Sequence, residues 1–567
     1  MSNQPIDITT DVLVIGAGAA GMMAARAASD AGSSVTLVDK SLIGRGGATI
    51  MAQMTVAVAL GDAEPDSPDI HAEDTIAGSR GLADPAIVHA ITDRGPELIR
   101  EVERYGANWA RTPDGRHSQV VAPGHSRRRC VYVDVLRSGE AVSAALRKAN
   151  THDPHIRRLN NVMVTRLVQD DNAVVGAVGF MLEQLAPVHI AARAVIVATG
   201  GLTQVYARTS ASAPMTGDGM MLAAEAGAEL RDMEMVQFFP IAHLYPPLVQ
   251  LDPIMWDPFR YKLGGHLLNG KLDEFMDRYT GEAPGRYTAT RDQTTLAIFQ
   301  EVAEGRGSPH GGVYLDFRMV PLDALHEAFG PVIDILARQG IDLTRDMVEV
   351  APMAHFMLGG IRVDPAMRTT VDRLLACGEA IYGMHGANRL SGNAMTESLV
   401  TGRIAGETAA RMRREHDIAL VTRAGRYEWE RLATFWHPRP VDHDEIPVGA
   451  LTARLQNLMW TGAGPLRTGP RLEEALAGIE SLTHEAETVA LGPEETFPYS
   501  KQEKVELRTM LRLSEAIVRA ALARRESRGA HVRLDNPEQQ EIAVSSRLLF
   551  SEPAGWSLDM VPSPLSA

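Results

Sequence analysis

The chain has 567 residues and carries 56 Lys and Arg against 71 Asp and Glu, a formal net charge of −15. At roughly 150 residues per domain this length predicts about three to four units, and the acidic balance argues against nucleic acid as the main partner. Hydrophobic residues make up 45% and charged residues 22%, the balance of a globular enzyme with a sizeable core. Cys130 and Cys377 are the only cysteines, which excludes a disulfide framework and a four-thiolate zinc or iron–sulfur site within the chain. The polar start MSNQPIDITTD does not read as a signal peptide. No apolar run reaches the roughly 18 residues of a membrane span, so direct membrane insertion is not expected. The expectation is a cytoplasmic, multi-unit enzyme.

The first element in chain order is the sharpest. Asp11-Val-Leu-Val-Ile15 is an apolar, β-branched run of the kind found in buried parallel strands. Gly16-Ala17-Gly18-Ala19-Ala20-Gly21 follows at once, then a helical stretch from Met22 to Asp30, then a second strand, Ser34 to Val38, ending at Asp39. In such a unit the first glycine makes the turn, the second lets a pyrophosphate approach the backbone, and the third packs helix on sheet. The helix N-terminus stabilises phosphate charge, and Asp39 can accept from a ribose hydroxyl. This predicts a bound dinucleotide but does not separate NAD from FAD. A second strand-to-glycine element, Ala194 to Gly201, and a third, Leu374 to Gly378 followed by Glu379, come after long excursions. That spacing favours the elongated FAD over two successive Rossmann halves.

Four further runs complete the pattern: Ala213-Pro-Met-Thr-Gly-Asp-Gly219, His355-Phe-Met-Leu-Gly-Gly-Ile361, His385-Gly-Ala-Asn-Arg-Leu-Ser-Gly-Asn393 and Arg525-Glu-Ser-Arg-Gly-Ala-His531. With these the chain, from about residue 10 to about 535, resembles the flavoprotein subunit of the succinate dehydrogenase/fumarate reductase superfamily, which includes L-aspartate oxidase. The resemblance implies an α/β fold: a discontinuous Rossmann-like FAD-binding domain (1–240 and 350–435), an inserted α+β capping domain (241–349) and a C-terminal helical domain (436–545). Independently, Leu507, Met510, Leu511, Leu513, Ile517, Val518 and Ala521 keep a helical period within 503–525, and Pro438, Pro440, His443 and Pro447 mark a linker before it. Residues 546–567, with three prolines, are expected as an extended tail.

The resemblance also implies site residues. FAD contacts are expected at Gly16, Gly18, Ala19, Ala20, Gly21, Asp39, Lys40, Gly46, Gly47, Ala48, Thr199, Gly200, Asp218, Glu379, Arg389, Ser391 and Asn393, with no metal. Arg291 falls where the family places its acid/base arginine, and His355 and Arg389 where it binds a substrate carboxylate. Arginine suits both tasks, because its fork grips a carboxylate bidentately and stays charged when desolvated. The plainer alternatives are a surface ion pair for Arg291, an interior histidine for His355 and a loop anchor for Arg389.

Departures narrow the reading. Ala48 stands where membrane-bound succinate dehydrogenases carry the histidine joined to the flavin, so FAD is expected to be non-covalent. A carboxylate-binding histidine of the family is replaced by Phe239, with His243 as a conceivable stand-in, and the segment Trp256 to Gly264 lacks the family's threonine, glutamate and arginine. Ala122 stands where aspartate oxidases place an acid for the substrate amino group, before the similar run Gly124 to Arg129; an ammonium without a counter-charge is penalised, which disfavours an aspartate oxidase. The expected activity is interconversion of a saturated and an α,β-unsaturated carboxylic acid by hydride transfer at flavin N5. Amino-acid oxidation, an electron-transfer subunit with an iron–sulfur partner peripheral to the inner membrane, and a flavin-binding protein without turnover are the alternatives.

Overall fold

The computed structural model describes residues 4–134, 136–249, 253–256, 263–280, 291–413, 415–436, 446–489, 491 and 498–565, with backbone alone at Thr280, Arg291 and Pro498. The linker residues Pro438, Pro440 and His443 and the segment 257–262 lie outside it. The chain forms two compact units: residues 1–207, 211–236 and 356–567, and residues 208–210 and 237–355.

The first unit is organised on a seven-stranded sheet. Strand β1 (Ile6–Ile15) pairs in parallel with β2 (Val35–Val38) on one side and with Ala186–Val197 on the other. Ile156–Leu159 and Leu374–Ala376 extend the parallel set, while Val162–Asp170 and Ala173–Met181 run antiparallel. Val12, Leu13 and Val14 are fully buried, as a strand covered on both faces requires. Helix α1 (Ala19–Asp30) lies against the helix Asn393–Ala410. The two approach closely because Gly402 and Gly406 have no side chain: a Cβ on either would lie 2.3 Å from a carbonyl oxygen of α1. The switch-backs of this open sheet put the C-terminal ends of β1, β2, Ala186–Val197 and Leu374–Ala376 on one edge, where such folds bind ligands.

The C-terminal helices are Val448–Ala463, Gly469–Thr488 and Pro498–Ala523; the last begins five residues before the apolar period expected from 503. The expected tail is instead a β-hairpin, Val544–Ser551 with Gly555–Pro562, joined through Leu230–Arg231 to a four-stranded sheet. Leu548 is fully buried there, and Trp556 packs on Phe550 at 5.0 Å and donates to the carbonyl of Arg512 at 2.9 Å. These contacts outweigh the prolines, which sit in the turn and at the hairpin's end.

In the second unit a four-stranded sheet is ordered Val236–Tyr245, Val348–Met357, Val313–Asp316, His266–Leu268. The unit begins and ends outside the expected 241–349 because its first two strands are neighbours. Trp256, Phe317 and Phe329, with ring centroids 5.4 to 6.0 Å apart, form its apolar centre. Among the described residues no helix is long and apolar enough to cross a membrane.

Candidate functional site

The turn from β1 into α1 is shaped by glycine. Gly16 has φ +100°, and a Cβ there would sit 2.4 Å from the carbonyl oxygen of Ala198, so only glycine fits. Gly21 faces the turn from the helix: its Cβ would lie 1.9 Å from the Gly16 oxygen. Gly18 opens α1 without a side-chain cap. Two N–H groups are met from outside the helix, Ala17 donating to Asp39 Oδ2 at 2.7 Å and Ala19 to Thr49 Oγ1 at 2.9 Å. The other Asp39 oxygen accepts from the backbone and hydroxyl of Ser41, both at 2.7 Å, so Asp39 holds the turn while keeping lone pairs for a ribose.

These groups border a cavity along the sheet's C-terminal edge. Its wall includes Gly16, Gly18, Ala19, Ala20, Asp39, Lys40, Gly46, Gly47, Ala48, Thr199, Gly200, Asp218 and Glu379. Thr49, Val162, Met163, Val164, Met215, Cys377 and Ser398 also line it, and sequence reasoning missed them. Thr199 Oγ1 is buried without a hydrogen-bond partner among the described residues, as expected of a wall that a polar ligand completes. A cavity at a glycine-built helix start, with an acid at the end of β2, fits FAD.

Lys40 borders the cavity, but its ammonium is committed elsewhere. Nζ donates to Thr216 Oγ1 at 2.6 Å, Asp218 Oδ2 at 2.5 Å and Glu506 Oε1 at 2.6 Å, which uses all three of its protons. Burial disfavours the charge, yet the two carboxylates outweigh it and raise the pKa above the ordinary lysine value. Lys40 thus lines the cavity and also ties its wall to the helix Pro498–Ala523. Glu379 is buried; burial pushes its carboxyl up to about 8 against the opposing pull of the Met357 N–H, which donates at 3.0 Å, and of Arg389. At neutral pH it is an O–H donor on the wall. Burial also raises the Cys377 thiol far above its usual range, so it is no nucleophile.

Gly21, Arg389, Ser391 and Asn393 do not line this cavity. Asn393 is fully buried, its Oδ1 bonded to His71 Nε2 at 2.8 Å and its Nδ2 donating to Thr75 Oγ1 at 3.0 Å. The Ser391 carbonyl accepts from His125 Nε2 at 2.7 Å. The Asn393 side chain thus anchors the helix it begins. Burial lowers His71 to about 3 and His125 to about 4, so the pair is neutral. Within the run Gly124 to Arg129, Arg129 is buried and pairs with Asp66 at 3.1 Å and Asp74 at 3.0 Å, which makes that run structural.

Of the substrate residues, Arg389 belongs to the first unit, and His355 and Arg291 to the second. The Arg389 guanidinium is largely buried and lies 4.4 Å from the centre of the Phe356 ring. His355 Nδ1 is 2.7 Å from Ser210 Oγ, and its ring meets Phe239 edge-on at 5.3 Å. Arg291 is the first residue of the helix Arg291–Ala303. His243 cannot stand in for the missing histidine: it is buried, Nδ1 accepts from Trp256 Nε1 at 3.2 Å and Nε2 contacts the Pro246 carbonyl at 2.6 Å.

The chain matches the family described as "FAD binding domain" over residues 11–395 and that described as "Fumarate reductase flavoprotein C-term" over 452–559. It is 35% identical over 533 residues to one subunit of the CoM/CoB fumarate reductase of Methanothermobacter marburgensis, covering 93% of this chain and 94% of that one. It is 33% identical over 544 residues to the L-aspartate oxidase of Streptomyces coelicolor, covering 94% and 90%. Among solved structures, the E. coli quinol fumarate reductase FrdA, in a mutant form, matches with a TM-score of 0.88 at 28% identity over 99% of this chain and 97% of that one. Identity at this level, sustained from the glycine turn to the C-terminal hairpin, carries the conclusion: the chain belongs to the flavoprotein family of fumarate reductase and succinate dehydrogenase, which includes L-aspartate oxidase, and is an FAD-dependent oxidoreductase.

Proposed function

We propose that the protein interconverts a saturated and an α,β-unsaturated carboxylic acid, with Arg389 and His355 holding a substrate carboxylate and Arg291 moving the proton. The observation that carries this reading is the cavity on the C-terminal edge of the parallel strands, within a chain 35% identical to a fumarate reductase subunit. Bound FAD supplies a hydride donor and acceptor at flavin N5. The first unit's wall, with Gly16, Gly18, Asp39, Thr199 and protonated Glu379, holds FAD without a covalent link, since the methyl group of Ala48 cannot form one. Arg389 offers a planar fork for a carboxylate, and its packing on Phe356 keeps the fork in one plane. The Ser210 hydroxyl, 2.7 Å from Nδ1, orients the His355 ring, and its Nε2 is the atom proposed to meet a substrate carboxylate.

The ring beside His355 is Phe239, buried and apolar, with no charge to offer a second carboxylate. An acid with an uncharged far end, such as crotonate, therefore belongs in the assay beside fumarate. Amino-acid oxidation is the second reading, favoured by the likeness to L-aspartate oxidase. Against it, Ala122 itself offers an ammonium no charge and packs in an apolar cluster with Ala57 and Cys130. The electron donor we propose is an iron–sulfur partner protein, in line with the relative named as one subunit of a reductase. The test is turnover with a reduced viologen dye: fumarate or crotonate is consumed and L-aspartate is not oxidised. Oxygen-dependent oxidation of L-aspartate, with neither acid reduced, would refute the reading.

A further inference from the structure

The run Arg525 to His531 takes no part in the roles proposed for Arg291, His355 and Arg389, yet its backbone meets the loop that carries Arg389. Ala530 N–H donates to the Ala387 carbonyl at 2.8 Å. Gly529, at φ +54°, comes so near that a Cβ would lie 2.2 Å from the same oxygen. On the other side Ala387 N–H donates to the Ser79 carbonyl at 2.9 Å, and Asn388 Nδ2 to the Gly78 carbonyl at 3.3 Å. The loop 385–390 is gripped between two turns, and Arg528 joins them. Its Nη1 donates to the Arg80 carbonyl at 2.6 Å, its Nη2 to the Gln540 carbonyl at 2.7 Å, and Nε and Nη2 pair with Glu526 at 2.8 and 2.9 Å.

Behind this grip stands a buried charge network. Glu526 also accepts from Arg524 at 2.9 Å, and Arg524, 1% exposed, reaches Glu234 at 2.6 Å and Asp232 at 3.2 Å. Those two carboxylates accept in turn from the hydroxyls of Ser546 at 2.7 Å and Ser545 at 3.0 Å on the terminal hairpin. A satisfied buried network of this kind rigidifies the segments it joins. Ahead of the grip, Phe356 beneath the Arg389 guanidinium packs edge-on to His385 at 5.2 Å, and His385 Nε2 lies 3.1 Å from Glu397.

We propose that Gly529 and Arg528 are positioning residues for Arg389: they press the loop 385–390 against the turn at 78–83, so that the guanidinium is presented at one fixed place. This rests on the reading of Arg389 as a carboxylate clamp. A displacement of about 1 Å in such a clamp costs up to roughly 100-fold in rate, whereas a purely structural role would lower stability and leave the substrate response alone.

The experiment is a double-mutant cycle on the FAD-loaded protein, using whichever of fumarate and crotonate gives the higher kcat/KM. KM, kcat, FAD content and Tm are measured for wild type, Gly529→Ala, Arg389→Lys and the double variant. Gly529→Ala raises KM about tenfold or more with FAD content unchanged, and in the Arg389→Lys background it adds less than about twofold, because coupled residues are not additive. Additive effects, or an unchanged KM in Gly529→Ala beside a raised one in Arg389→Lys, overturn the proposal alone. A wild-type KM in Arg389→Lys overturns the clamp reading and the proposal with it. Should Gly529→Ala not fold, Arg528→Lys completes the same cycle, since lysine keeps the charge but loses the double bond to Glu526.

Discussion

Glu379 is the titrating group the cavity wall controls most directly. Folded, it keeps its proton up to about 8, against an ordinary value of 4.5. Between these two values the folded chain binds a proton that the unfolded chain has lost. The burial penalty is absent below the lower value, grows as pH rises through the window, and is complete above about 8. Tm should therefore fall from pH 5 to pH 9 more steeply in wild type than in Glu379→Gln; parallel curves would contradict a buried, protonated Glu379. For Arg291→Lys we expect kcat to fall by about 10²–10⁴-fold with FAD content intact, because lysine keeps charge but loses reach and fork. If the variant kept more than about a tenth of wild-type kcat, the shuttle role would be wrong. Residues whose role is local were legible in the chain: Gly16, Gly18 and Asp39 act through their own backbone or their nearest turn. The tie from Lys40 to Glu506 was not legible, because the two lie 466 positions apart. The anchoring of Asn393 was not legible either, because its histidine partner comes from a distant helix, more than 300 positions upstream.

At the level of elements, the turn after β1 depends on one conformation. Gly16→Ala places a Cβ against the Ala198 carbonyl and forces a positive φ, a strain of roughly 1–3 kcal/mol. The expected result is FAD retention weakened about 10-fold or more, read as flavin per chain after dialysis; full flavin content would show that the turn tolerates a side chain. The βαβ unit and the helix after 503 were readable because hydrophobic periods of 2 and 3.6 need no distant partner. The hairpin Val544–Ser551/Gly555–Pro562 was not, because its strands are held by Leu230–Arg231 and by Asp232 and Glu234, all about 300 residues earlier. Truncation after Ala543 removes the Ser545 and Ser546 hydroxyls and leaves both carboxylates short of donors, at roughly 1–3 kcal/mol each. We expect a clear drop in Tm or loss of soluble holoprotein, and an unchanged Tm would mean the hairpin is dispensable.

In the whole molecule the cofactor cavity lies in the first unit, and the proposed carboxylate chemistry falls to Arg389, His355 and Arg291. The non-covalent reading of FAD predicts that acid precipitation releases all yellow colour to the supernatant, and flavin fluorescence on the denatured polypeptide band would contradict it. The fold class was legible because the glycine turn and the motifs at 213–219, 355–361 and 385–393 keep their order along the chain. The substrate was not, because Phe239 replaces an expected histidine and the segment Trp256 to Gly264 departs from the family pattern. The most direct test of the central claim is anaerobic stopped-flow mixing of the photoreduced holoprotein with fumarate or crotonate while flavin absorbance is followed. The account predicts rapid return of the oxidised flavin band, with one saturated acid formed per flavin; a flavin that stays bleached with both acids, yet reoxidises with oxygen, would contradict it.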